Sequence, residues 1–337
     1  EECFSNLKLI TNILFECRDL RVGSNCFASC ETLKSFSCVV SKISFGSQPF
    51  DKCRKLEKFS INYLPIWMIE SSNENQNDDI IFNDNFFNYC SSLNCIEIDT
   101  AQPIVISANA FIGCNSLKII KLKSLSTITL TKNVQTNIKI QQLEVSGKRV
   151  KLDNYFFYSS LNLISLQIES DEIDIGDYCF SNCSNLMKVL LNKSTKVKFG
   201  SDSFSNCLKL SSFVLNSYGG PAIKELEIGN YCFSNCKILP MIYFWKVQNA
   251  KIGSNAFEKC EQITKFNMFV SSKLEIGNYC FLKSSNLKEV YMTSKYLTTG
   301  SYLFDKCNSI SSICIRGNKS QNIDSNAFLG LKRNVIK

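Results

Sequence analysis

The feature that most restricts how this chain can fold is a repeat. Ile175–Leu191 reads IGDYCFSNCSNLMKVLL, and close variants return at Ile228–Phe244, Ile252–Met268 and Ile276–Met292. Their shared frame is I-G-x-x-[CA]-F-x-x-C-x-x-L-x-x-[IVF]-x-L. Self-similarity at a fixed period of about 23 residues marks a solenoid, in which each unit packs only on its neighbours and the core grows lengthwise. Without the repeat, 337 residues would suggest two ordinary domains.

Anchored on the frame Phe, the units fall at Phe4, Phe27, Phe50, Phe87, Phe111, Val134, Phe157, Phe180, Phe204, Phe233, Phe257, Phe281, Phe304 and Phe328. These are 14 units, spaced mostly 23 or 24 residues apart. The Val134 unit is degenerate, although Asn137, Ile140, Leu143 and Val145 keep its frame. The expected organisation is one repeat domain over 1–337 with a truncated unit at each end, the last breaking off after Leu331 at Lys332 and Arg333. Two insertions interrupt the period, near 62–79 (with Trp67) and 216–224. Solenoid insertions emerge as loops on one face and are often functional, and neutral drift in a tolerant loop explains them equally.

Each unit reads in three parts. The I-x-I-G piece alternates and predicts a short strand ending in a turn. The next piece, such as 177–185, predicts one helical or 3₁₀ turn, with Phe−1, Phe and Phe+3 forming an inward stripe. The L-x-x-I-x-L piece alternates again and predicts a second strand. Stacked units then give a parallel sheet with strands ~4.8 Å apart.

The frame closely resembles the BspA-like leucine-rich repeat, and the match extends over nearly the whole chain. The resemblance implies a right-handed leucine-rich solenoid whose L-x-x-I-x-L strands line a concave parallel sheet, with the [CA]-F-x-x-C turns outside. It also implies a surface or secreted protein used for adhesion to host cells, extracellular matrix or other microbes. The chain lacks the Pro that often follows the strand in that family.

Eighteen Cys raise the question of disulfides or metal sites. Nine sit at Phe+3 and five at Phe−1, both inward positions where a thiol serves as a small apolar group. Ser160 and Ser284 fill two Phe+3 slots, which suits packing and not bridging. A buried thiol ladder is the expectation; a few bridges and a metal site are the alternatives. Cys17, Cys38, Cys95 and Cys314 lie outside both ladders. So many thiols point to a reducing compartment. Three sequons, at Asn182, Asn192 and Asn318, are compatible with secretion. The chain starts at Glu1 without Met, so it reads as a processed or trimmed product, with any membrane attachment through an anchor not present in it.

Histidine is absent, which removes the usual general base, the Ser-His and Cys-His pairs and every His-containing metal site. No catalytic constellation is visible and no cofactor is expected, so the chain is expected not to be an enzyme. No apolar run reaches 18 residues, so no segment reads as a transmembrane helix. The net charge of +8 is uneven. Between Ser60 and Leu117 there are seven acids and no base, whereas Lys118, Lys121, Lys123, Lys132, Lys139, Lys148, Arg149 and Lys151 follow with Glu144 the lone acid. Lys118, Lys121, Lys123, Lys148, Arg149 and Lys151 are candidates for an anionic partner such as a glycan; a solvated basic face is the plainer reading. The stretch lacks interleaved aromatics, which argues against nucleic acid.

Strand alternation also singles out a ligand face. Residues at Phe+8, Phe+10 and Phe+12 point away from the core. They are mostly polar in early units and become apolar later: Met241, Tyr243 and Trp245, then Phe269, then Tyr291. Large exposed aromatics are the usual anchors of interfaces and of stacked sugars, although they also shield a sheet by packing on each other. Taken with the adhesion that the resemblance implies, this face predicts an adhesion or recognition module for a host-surface or matrix protein or an anionic glycan. A cytoplasmic scaffold for a protein partner is the second reading.

Overall fold

The computed structural model describes residues 3–64, 79–131, 138–217, 219–317 and 319–331. Trp67 with most of the 62–79 insertion, Lys132, Val134, Asn137, the sequon Asn318, Lys332 and Arg333 lie outside the described residues. Two compact units are present, Glu1–Lys151 and Leu152–Lys337. The first carries β1 (Asn12–Val22), β2 (Ser35–Phe45), β3 (Lys58–Tyr63), β4 (Ile80–Phe82), β5 (Cys95–Thr100), β6 (Ile104–Ser107), β7 (Ile119–Ser124) and β8 (Thr127–Thr131), with β9 (Gln142–Leu152) at its end. The second carries β10 (Ser165–Ile175), β11 (Lys188–Asn192), β12 (Lys196–Phe199), β13 (Ser212–Leu215), β14 (Ile223–Ile228) and β15 (Met241–Ile252). It continues through β16 (Lys265–Ile276), β17 (Glu289–Thr293), β18 (Tyr296–Thr299), β19 (Ser312–Arg316) and β20 (Gln321–Ile323).

Within each unit the chain is a parallel β-solenoid. Asn12 pairs opposite Ser35 and Ser165 opposite Lys188, one repeat apart. The L-x-x-I-x-L pieces form a first face and the I-x-I-G pieces a second. Where the sequence suggests two short strands, β1, β2, β9, β10, β15 and β16 run through both pieces as 11 or 12 residues. Elsewhere a corner separates them. Between β11 and β12, Lys193 takes a left-handed φ of 65°, which ends the first strand. In β11 the alternation is complete: Val189 and Leu191 are buried while Lys188, Leu190 and Asn192 face outward.

The third side departs from the expected helical turn. Over 177–185 the chain makes successive turns, because Tyr178 and Asn182 have φ of 54° and 61°. A left-handed residue cannot propagate a right-handed helix. The same two positions, Phe−2 and Phe+2, are left-handed in most units, as at Asn25 and Ser29 or Tyr231 and Asn235. This geometry turns backbone N–H groups toward the next unit. Tyr178, Phe180 and Asn182 donate to the carbonyls of Ser201, Ser203 and Ser205 at 2.7–2.9 Å. The turns therefore form a hydrogen-bonded ladder of their own. A 3₁₀ helix does form at Ala108–Phe111, where Ser107 accepts from the Asn109 N–H and the Phe−2 residue keeps an ordinary φ.

The core consists of ladders. Frame Phe rings stack 5.3–6.2 Å apart in the first unit and 5.2–6.0 Å in the second. Each such pair contributes ~0.5–1.5 kcal/mol beyond its burial. Gly at Phe−4 is required by close approach. A Cβ on Gly277 would lie 2.5 Å from the Ser254 amide nitrogen, and on Gly46 2.4 Å from that of Ser24.

The Phe+3 thiols do more than fill space. Cys30, Cys53, Cys90 and Cys114 each donate to the carbonyl of the frame Phe one unit back, at 2.9–3.2 Å. Cys183, Cys207, Cys236, Cys260 and Cys307 do the same in the second unit, at 2.9–3.3 Å. Ser284 makes the equivalent bond to Phe257 at 2.8 Å, so Ser replaces Cys here as a donor. Burial pushes the thiols of Cys183 and Cys236 up to about 12, and those of Cys90, Cys207 and Cys260 well above the ordinary value. At Phe−1, Cys26, Cys179, Cys232 and Cys280 are buried, whereas Cys3 is exposed. Cys38, outside both ladders, is also buried, and Cys17, Cys95 and Cys314 are half-buried.

Candidate functional site

The outward positions of the first face differ between the units. In the second unit, register sets Tyr243 opposite Asn267, Asn267 opposite Tyr291, and Tyr291 opposite Cys314. On the same face of β11 and β13, Leu190 pairs with Val214. This row, Leu190, Val214, Tyr243, Asn267, Tyr291 and Cys314, carries no charge. The neighbouring row brings in Phe269, Thr293 and Arg316.

The aromatics predicted from the sequence come together here. Trp245 stacks on Phe269 with centroids 4.6 Å apart and planes 11° from parallel. Tyr243 lies 6.3 Å from Trp245, and Tyr291 lies 5.2 Å from Phe269. Arg316 caps the far end, its guanidinium carbon 5.7 Å from the Tyr291 centroid. Trp245 remains 57% exposed, so the ladder shields itself only in part. Met241 is exposed one row away, opposite Lys265, and Lys265 pairs with Glu289 at 2.9 Å. That bond raises the pKa of Lys265.

A bulge lies within the ladder. Phe244 faces Met268 but Val247 faces Val270, so Trp245 and Lys246 together oppose Phe269. Lys246 adopts a φ of 53°, and the burial pattern of β15 leaves both residues exposed in succession. Bulges of this kind re-aim side chains and are over-represented beside functional sites.

The basic stretch does not form one cluster in the first unit. Lys121 and Lys123 lie on the first face, where Lys121 is 3.9 Å from both Glu97 and Glu144, and Lys123 is 2.7 Å from Asp99. Glu97 also takes Lys58 at 2.6 Å, and this bond lowers its pKa. Lys118 is exposed just before β7, while Lys148, Arg149 and Lys151 are exposed on the later half of β9.

Two cations of the second-unit ladder escape a first reading of the sequence. Arg316 is legible in hindsight, since it is the Phe+12 residue of its unit. Lys246 is not, because the bulge that exposes it is compensated by an opposite shift before Asn249 and Lys273. Beside the ladder, Asn216 at the start of the 216–224 insertion binds the Ser194 N–H and carbonyl and donates to the Pro221 carbonyl.

No helix among the described residues is long and apolar enough to cross a membrane. Comparison with curated proteins finds no match. Among solved structures, a leucine-rich repeat protein of T. pallidum is similar at 18% identity and TM-score 0.37, covering 55% of this chain and 77% of its own. A leucine-rich cell-surface protein of Faecalibacterium prausnitzii is similar at 17% identity and TM-score 0.29, covering 88% and 83%. A leucine-rich repeat protein of Bacteroides ovatus is similar at 16% identity and TM-score 0.33, covering 91% and 88%. The model of the BspA type leucine-rich repeat region, in six copies, matches residues 1–73, 80–211 and 198–334. The repeat read from the frame Phe is therefore the family's own, and the chain belongs to the BspA type leucine-rich repeat proteins.

Proposed function

We propose that this protein is a non-enzymatic recognition module at the cell surface that adheres to a host-surface or matrix protein through the first sheet face. The observation that carries this reading is the exposed ladder Tyr243–Trp245–Phe269–Tyr291, a contiguous apolar patch on a face whose other outward positions are mostly polar. Such aromatics dominate binding where they occur. Family membership supports recognition as the general role. Lys118, Lys121, Lys123, Lys148, Arg149 and Lys151 would add long-range attraction for an anionic partner, Lys121 and Lys123 from within carboxylate pairs.

The test compares the wild type with a variant in which Tyr243, Trp245, Phe269 and Tyr291 are all changed to Ser. Both are measured for binding to host cells, to matrix proteins and to a glycan panel. Loss of binding by a variant that keeps its β-sheet circular dichroism supports the reading. Equal binding by both, abolished by salt, transfers recognition to the basic residues. A second reading, a cytoplasmic scaffold, draws on the 18 cysteines, none of them bridged, and is favoured if neither protein binds any surface.

A further inference from the structure

Resting on that reading, we infer that the ladder takes an extended acidic polypeptide segment, with large apolar side chains between its acids, and not a glycan. Three observations lead there. First, the rings cover one another. A sugar ring between two aromatic faces needs a gap of ~7 Å, two carbon–carbon contacts, whereas Trp245 and Phe269 are 4.6 Å apart and Phe269 and Tyr291 5.2 Å. The far face of Tyr291 is occupied by Arg316. Where the rings stack face to face, as Trp245 does on Phe269, the edges remain for a partner, and edges carry the positive end of the aromatic quadrupole. Edges suit carboxylates, carbonyl oxygens and the faces of other aromatic rings.

Second, the ladder has a cation at each end. Lys246 is exposed by the bulge beside Trp245, and Arg316 lies over Tyr291. Neither pairs with a carboxylate among the described residues, in contrast to Lys265, which holds Glu289. Third, the spacing fits an extended peptide laid across the strands. Lys246 on β15 and Arg316 on β19 are three strand steps apart, ~14 Å at the usual inter-strand distance. An extended chain covers that in about four residues at ~3.3 Å each, and residues i, i+2 and i+4 share one face. The segment therefore reads acid-x-Φ-x-acid, with Φ an aromatic or large aliphatic side chain midway along the span, over Phe269 and Tyr291 on β16 and β17.

The experiment is a selection of random nine-residue peptides displayed on phage against the whole chain. The same selection is run on K246E/R316E and on W245S/F269S, each checked for its β-sheet signal. The expected result is enrichment of acid-x-Φ-x-acid on the wild type. Winners bind both variants at least tenfold more weakly, and K246E/R316E enriches bases at the same two positions. The inference is overturned by winners without paired acids, by no winners, by winners that bind K246E/R316E as well as the wild type, or by displacement of winners with cellohexaose or chitohexaose. Host-cell and matrix binding is measured alongside. Surface binding that the winners do not compete leaves the adhesion reading standing and removes this one. Winners of the expected pattern without any surface binding do the reverse.

Discussion

The first face of the N-terminal unit and that of the C-terminal unit are built on the same frame, with the same alternation and register, yet their outward slots are filled in opposite ways. In the former, Lys58, Glu97, Lys121 and Glu144 neutralise one another across neighbouring strands, and Lys123 takes Asp99. In the latter, the middle row is uncharged and an aromatic ladder stands on it. Cross-strand pairs of opposite charge satisfy a sheet surface locally. A half-exposed row of rings does not, and it retains apolar area for a partner. The solenoid frame fixes where side chains point; what a face can bind depends on the residues placed there.

The comparison can be broken at several levels. Its shared frame predicts that Gly46→Ala and Gly277→Ala are equally damaging, each by ~2–3 kcal/mol, since both force a Cβ against the neighbouring turn. Hydrogen exchange of the adjacent strands measures this, and a harmless change in one unit would show that the frames differ. The contrast between faces predicts a loss of about 2 kcal/mol in binding for Trp245→Ala, roughly thirtyfold. Its counterpart at the same repeat position, Lys123→Ala, changes binding less than about twofold, as read by titration against one partner.

Smaller effects sharpen the picture. Cys236→Val removes the thiol bond to the Phe204 carbonyl, which keeps the Cys207 N–H, and costs ~0.5–1.5 kcal/mol, whereas Cys236→Ser keeps the bond and costs less. Cys53→Val and Cys53→Ser in the N-terminal unit should repeat that order in thermal unfolding. Smallest is Glu97→Gln, under ~1 kcal/mol at neutral pH for so exposed a cluster. Lys58 depresses the folded pKa of Glu97. Its contribution is thus fully present above the unfolded value of ~4.3 and is lost as pH falls through the lower folded value. Wild type and Glu97→Gln should converge in stability in acid.

Much of this was legible in the residues. The period gave the parallel solenoid, and strand alternation alone put Tyr243, Trp245, Phe269 and Tyr291 on one face. The turns are not legible, because Phe−1, Phe and Phe+3 have helical spacing while the left-handed backbone at Tyr178 and Asn182 leaves no trace in a hydrophobic pattern. The donor role of the thiols is hidden because Cys serves equally as a donor and as a small apolar group, and only Ser284 in the same slot points to the donor. The basic stretch was contiguous in sequence only. Its partners Glu97 and Asp99 come from the preceding unit, and pairing across a repeat is invisible to a linear charge count.

The thiol ladder also bears on how long such a molecule lasts. While folded, its sulfurs are protonated, buried and tied to carbonyls, so oxidants find little to attack. Once a stretch of solenoid opens, several thiols are released together with an ordinary pKa of ~8.5. In oxidising surroundings they cross-link at random, and the chain does not return. Its working lifetime is then governed by the rate of first opening and not by the equilibrium between folded and unfolded forms. A single slow barrier would protect the protein and, once crossed, condemn it.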